Sequence, residues 1–252
     1  MKVLVIAQRE LGALLGSVVG WLVITAFVLI SGVVSAFGVV GYAMNSEQII
    51  ESAFMGAPVM TFADTLLWPV SQIQATFLMF FVPGVTMRLF SEELRQRTLE
   101  LLLTSPLSLW ELVAGKFLGT MGFVTLLLLL ASWHLPMLAL WSDVDWMLLL
   151  ANFASLWLVT ACVVVLGMFF SASTPHQVLA LVLTEGTTIG LLLLASFEQE
   201  DPTGILGSLS LINRMEDLTH GLLRFSDLAF FLVFIVVGVL ATQQRIALRR
   251  WS

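Results

Sequence analysis

Five runs of the chain carry no Asp, Glu, Lys or Arg: Ser17–Ser46, Thr65–Met87, Phe117–Ser142, Trp146–Thr184 and Leu228–Gln244. A helix rises about 1.5 Å per residue and needs roughly 20 apolar residues to cross the hydrocarbon core. Each run is close to that length or beyond it, and no ordinary soluble core calls for such a series. Composition agrees, with 59% of residues hydrophobic and 11% charged. Soluble domains run near half apolar and a quarter charged. The chain is therefore read as an all-α polytopic membrane protein with six transmembrane helices. They are placed at about 17–42, 68–90, 112–138, 146–170, 176–197 and 226–245.

Helix-start chemistry falls at four of these boundaries. Ser108-Leu-Trp-Glu111 has capping-box spacing, in which Ser and Glu satisfy each other's free amides. Thr174-Pro175-His176-Gln177 repeats the pattern with proline at the expected first helical position. Ser142-Asp-Val-Asp145 and Ser226-Asp227 bring oxygen acceptors and negative charge to two more helix starts. The opening Met1–Glu10 is no signal peptide, because Gln8, Arg9 and Glu10 cut its apolar run short. Cys162 is the single cysteine, so no intrachain disulfide forms.

Cations in short loops set membrane orientation. One side collects Lys2, Arg9, Arg88, Arg95, Arg97, Lys116, Arg245, Arg249 and Arg250, and the other only Arg214 and Arg224. Both termini are thus expected in the cytoplasm. Residues 1–15 mix apolar and charged positions and suit a helix lying in the inner interface. Residues 204–224 are too polar and too short to span, and are expected as short outer-face helices. Residues 1–252 then form a single transmembrane domain with no tandem repeat.

Charge is concentrated in "LFSEELRQRTLELLLTSPL", residues 89–107, where five of nineteen residues are charged. Ser91 is placed to cap a helix there, with Glu92 and Glu93 at the positive end of its dipole. Glu93 stands four residues before Arg97 and Glu92 three before Arg95, spacings that pair on a helix surface. Pro106 disfavours helical geometry in the residue before it, so the helix is expected over 91–105. Leu99, Leu101, Leu102 and Leu103 would anchor it, leaving salt-bridged charge turned outward. On the physics alone, a docking surface and a solvated interfacial loop stand level.

The segment "SEELRQRTLELLLTSPLSLWELVAGKFLG", residues 91–119, resembles the signature of type-2 ABC transporter permeases. The matching positions are Glu92, Glu93, Thr98, Glu100, Leu102, Ser105, Pro106, Gly115 and Lys116. "FFSASTPHQVLA" (169–180) resembles the family's turn into its fifth span, through Ser171, Gln177 and Ala180. "INRMEDLTHGLLRFSDLAFFL" (212–232) is similar to the outer segment of the gliding-motility and nitrous-oxide-reductase-maturation branch. Arg97 departs from the pattern, standing where the family usually has glycine. His176 likewise replaces a common asparagine.

The resemblance implies that the charged segment is a coupling helix, with Glu92, Glu93, Arg95, Arg97, Thr98 and Glu100 meeting a cytoplasmic ABC ATPase dimer. It also implies a second permease copy or paralogue and residence in the bacterial cytoplasmic (inner) membrane. An extracytoplasmic or membrane-anchored accessory subunit fits the same scheme, and nothing points to nucleic acid. ATP and Mg would be bound by the partner, since no G-x-x-x-x-G-K-[ST] occurs in the chain. No cofactor, metal or catalytic residue is assigned to this chain, which is expected to be a permease and not an enzyme.

Sharper readings compete at a few residues. Glu92-Glu93-Leu-Arg-Gln-Arg97 also spells the E-E-x-x-x-R of intramembrane CAAX-type proteases, but such chemistry needs neighbouring polar groups deep in the spans. A non-transport membrane scaffold is the other alternative. Glu185 is the one acid well inside a span, and such groups tend to face the bundle or a cavity. A place on a translocation path or dimer interface stands level with a carboxyl merely hydrogen-bonded to Thr184, Thr187 or Thr188. Pro83, before Gly84, is read as either a hinge in the second span or plain shape. His134 and Met137 would suit Cu(I), yet two ligands make no site, and core packing is the stronger reading.

Overall fold

The computed structural model describes residues 2–55, 61–98, 108–136, 145–197, 210–222 and 224–249. Among these, the regular elements are helices and no strand occurs. They are α1 (Lys2–Leu15), α2 (Val18–Phe54), α3 (Trp68–Thr86), α4 (Ser91–Arg95), α5 (Leu109–Ala131), α6 (Trp146–Ser173), α7 (Gln177–Phe197), α8 (Leu211–Thr219) and α9 (Phe225–Arg249). A π-helical turn, Ala63–Leu67, leads into α3.

The bundle is organised around α6. Ala161, Cys162, Val163, Val164 and Val165 are all fully buried, so the middle of this helix is apolar and enclosed on every side. α3, α5, α7, α8 and α9 pack on it. Glycines bring the backbones together: a Cβ on Gly238 of α9 would fall 2.5 Å from Val165, and one on Gly167 of α6 would run into Thr86 of α3. Lipid offers apolar side chains an environment as good as a protein core. Close approach through small residues is accordingly what holds helices together in a membrane.

Five described helical stretches are long and apolar enough to cross a membrane: Val18–Asn45, Ala63–Arg95, Leu109–Pro136, Trp146–Ser173 and Phe225–Arg249. The apolar stretch Gln177–Leu193 of α7 is shorter. One boundary is displaced: α2 continues to Phe54, well past the first expected span. The apolar run stops at Ser46, but helical backbone needs no apolar side chains once it leaves the hydrocarbon.

Two expected helix starts hold as drawn. Ser108 and Glu111 form a complete capping box, and Asp145 caps α6 through the amide of Met147. Of the other two, one is corrected. α7 begins at Gln177, so Pro175 lies outside it, and the Thr174 hydroxyl serves the amide of His176. α9 begins at Phe225, so Asp227 brings its negative charge to the first turn as expected, and its carboxylate also pairs with Arg214 at 2.6 Å.

The two ends of α6 carry different charge sets. Near its start, Arg214 pairs with Asp227, His220 with Asp64 at 3.2 Å, and Arg224 with Asp217 at 2.7 Å. Near its end, Arg249 of α9 donates to the carbonyl of Ser173 at 2.7 Å. Residue 219, the last of α8, reaches the first half of α6 through a Thr219–Ser155 hydroxyl contact. α8 is the described helical part of the expected outer segment, and it packs Leu211, Ile212, Met215 and Leu218 into the bundle while Glu216 stays exposed.

Candidate functional site

α4 lies at the Ser173 end of the bundle, and its first turn is held from outside. Ser171 of α6 accepts hydrogen bonds from the amides of Phe90 and Ser91 at 2.9 and 3.0 Å, and its own hydroxyl donates to the carbonyl of Met87. The expected cap, Ser91, is itself the first helical residue and donates back to the Met87 carbonyl instead. One buried hydroxyl on a neighbouring helix thus performs the capping.

The helix closes much sooner than Pro106 would require. The amide of Arg97 bonds the carbonyl of Leu94 at 3.3 Å and that of Thr98 bonds the carbonyl of Glu93 at 3.0 Å. Arg97 adopts φ 56, the left-handed region. Those two bonds around a left-handed residue are the Schellman closure, normally built on glycine. The departure at Arg97 therefore leaves the turn intact, at a cost of about 1–2 kcal/mol for a side chain in that region. Residues 99–107, including Glu100 and the four leucines, lie outside the described residues.

Neither expected ion pair, Glu93–Arg97 or Glu92–Arg95, forms among the described residues. The turn at Arg97 removes the four-residue stacking that Glu93 would need. Glu93 instead pairs with Lys116 of α5 at 2.9 Å, and Glu92 accepts from Gln96 at 3.2 Å. Lys116, only 4% exposed, also pairs with Glu10 of α1 at 3.2 Å. It donates to the carbonyl of Leu89 at 2.7 Å and lies 5.2 Å from the ring centre of Phe90. A single ammonium group thereby joins α1, α4 and α5.

The glycines beside Lys116 make the arrangement sterically feasible. A Cβ on Gly115 would fall 2.7 Å from Ile6, and one on Gly119 the same distance from the carbonyl oxygen of Ala7 and from the Cβ of Glu10. α1 lies directly against α5 along this seam. Sequence reasoning named Lys116 as a cytoplasmic-side cation and, with Ser171, as a family match, and read Glu10 only as a break in the N-terminal apolar run; it did not bring Glu10 and Lys116 together. The available signal was a lysine at the mouth of an apolar span, which requires a nearby counter-charge.

A cleft of about 540 Å³ opens between α1 and α4, with Arg9, Arg88, Glu92, Gln96 and Thr98 among its lining residues. Arg88 is tied to Ser17 at 2.7 Å. Arg95, Gln96 and Arg97 are exposed, whereas Glu92, Glu93 and Thr98 are partly buried. The structure thus brings Glu92, Glu93, Arg95, Arg97 and Thr98 together, but divides them between an inward and an outward face.

The remaining candidates stand elsewhere. Pro83 is buried inside α3, where its carbonyl receives the amide of Met87. Glu185 is half-buried on α7 with one carboxylate oxygen buried and lacking a partner. The neighbouring hydroxyls do not serve it: Thr184, Thr187 and Thr188 bond the backbone carbonyls of Ala180, Leu183 and Thr184. His134 lies just past α5 with both ring nitrogens buried beside the backbone of Ala131, and Met137 falls outside the described residues. Among the described residues, no three His, Cys, Asp or Glu side chains gather as metal ligands.

No curated protein matches the chain. The model of one protein family, described as "ABC-2 family transporter protein", matches residues 4–197, from α1 to the end of α7. That stretch contains every part of the α1–α4–α5 junction and most of the bundle around it, and the chain belongs to the ABC-2 transporter family.

Proposed function

We propose that this chain is the membrane-spanning permease subunit of an ABC transporter, with α4 as the coupling element that receives motion from a separate cytoplasmic ATPase. The observation that carries the reading is the mounting of α4. Its inner side is fastened by Ser171 and Lys116 to α6, α5 and α1, while its tip at Arg95–Arg97 is exposed. A solvated loop needs no such anchorage, whereas a lever must be rigid at its base and accessible at its end.

In this reading α7 completes six spans, both termini are cytoplasmic, and ATP and Mg belong to the partner. A second copy or paralogue completes the path, and the exposed apolar residues Val178, Val182 and Leu193 of α7 offer it a surface. The likeness of residues 212–232 to the gliding-motility and nitrous-oxide-reductase-maturation branch supports force transmission to an extracytoplasmic partner alongside export.

The test is purification from the native membrane in mild detergent. A P-loop ATPase should co-purify, and hydrolysis should track that subunit. Robust ATP hydrolysis by the isolated chain, or no ATPase in the complex, defeats the proposal.

A further inference from the structure

We infer that the partner-facing tip of α4 is a cationic knob and that it seats in an acidic groove of the ATPase. This rests on the coupling reading above and specifies the chemistry of the contact. The sequence alone suggests the reverse, because Glu92 and Glu93 open the helix. In the structure, however, Glu93 turns inward to Lys116, and the same ammonium holds Glu10. Glu92 is partly buried and engaged by Gln96. The exposed side chains are Arg95, Gln96 and Arg97, with the exposed Arg9 of α1 lining the cleft alongside. Among the described residues, no hydrogen bond or ion pair engages the Arg95 or Arg97 side chain.

Arg97 adds a second, independent argument. Its left-handed backbone would be relaxed by glycine, which loses nothing at φ 56. Strain retained at one residue is a mark of function when the surroundings over-determine it. Here the Schellman bonds impose the conformation, and the result is an exposed guanidinium carried at the turn of the lever. Guanidinium groups match carboxylates in a planar, two-pronged fashion, so an acidic groove is the complementary surface.

The experiment uses the permease in nanodiscs and the ATPase that co-purifies with it, measuring affinity across a salt series. Arg97→Gly should leave the melting temperature no lower than wild type, because it relieves the backbone. It should weaken ATPase binding about three- to fivefold at low salt, the scale of one exposed ion pair. Arg95→Glu combined with Arg97→Glu should weaken it further, and wild-type affinity should fall as salt screens the contact.

Unchanged affinity in Arg97→Gly and in the double reversal overturns the inference. If Glu92→Arg alone abolishes binding, α4 still couples and the groove is basic, so the permease reading survives while the acidic groove fails. If no ATPase co-purifies, both fall together.

Discussion

Lys116 on α5 and Glu93 on α4 stand 2.9 Å apart with their side chains largely withdrawn from solvent. Glu10 meets the same ammonium from α1, so two carboxylates share one cation. Burying such charges costs desolvation that their attraction roughly offsets, and the group adds little net stability. Its effect is on geometry: the three helices satisfy one another in this arrangement and are left with unpaired charge in others.

Removing the cation should therefore hurt far more than removing the whole group. Lys116→Met is expected to destabilise the fold by about 3–5 kcal/mol, the usual cost of an orphaned buried charge. Adding Glu10→Gln and Glu93→Gln should recover much of that loss. Unfolding in mixed micelles measures both, and a triple variant no more stable than Lys116→Met would defeat the ionic explanation.

The α1–α5 seam makes a steric prediction. Gly119→Leu places a side chain where the backbone of Ala7 already stands 2.7 Å from a bare Cβ. Overpacking of this kind costs about 1–3 kcal/mol. A cysteine at Leu11, partly buried in the wild type, should then react faster with a soluble maleimide. Gly122→Ala is the control, since its Cβ would meet only Leu11, no nearer than 3.7 Å. Equal labelling in all three proteins would show that α1 does not depend on the seam.

Ser171 is the remaining fastening of α4. Ser171→Ala leaves the Phe90 and Ser91 amides without their acceptor in a buried setting, at about 1–3 kcal/mol. The loss should be local, so amide hydrogen exchange should accelerate at Phe90 and Ser91 and remain unchanged in the middle of α6. Acceleration throughout α6 would mean that the serine supports the bundle as a whole.

Topology is tested by single cysteines at Ser46, Gln96, Pro175 and Ser208. Impermeant reagent applied from outside should reach the first and last and spare the middle two. Labelling of Gln96 from outside would reverse the orientation, and with it the coupling proposal.

Much of this architecture is written locally. The charge-free runs locate the spans, and Ser108 with Glu111 or Asp145 with Met147 needs only neighbours in sequence to form its cap. The charged segment could not be read in the same way. Glu93 looks like the partner of Arg97 on a continuous helix, and only a left-handed Arg97 breaks that spacing. Nothing in an arginine announces such a turn, because the residue favours helix. The true partner, Lys116, comes with Glu10, a residue 106 positions away in the chain. α2 escaped for another reason: hydropathy marks where hydrocarbon ends, not where hydrogen-bonded helix ends.

The separation of Glu10 from Lys116 also imposes an order on the birth of the protein. α1 leaves the ribosome before α5, and the lysine that receives Glu10 is synthesised 106 residues later. At about 5–20 residues per second, the interval is roughly 5–20 s. For that time the α1 face built from Ile6, Ala7 and Glu10 lacks the surface it finally packs against. The membrane surface can hold an amphipathic helix of this kind until α5 arrives beside it. With α1 held that way, the bilayer would serve the nascent chain as a temporary chaperone, and the lysine of α5 would complete the handover.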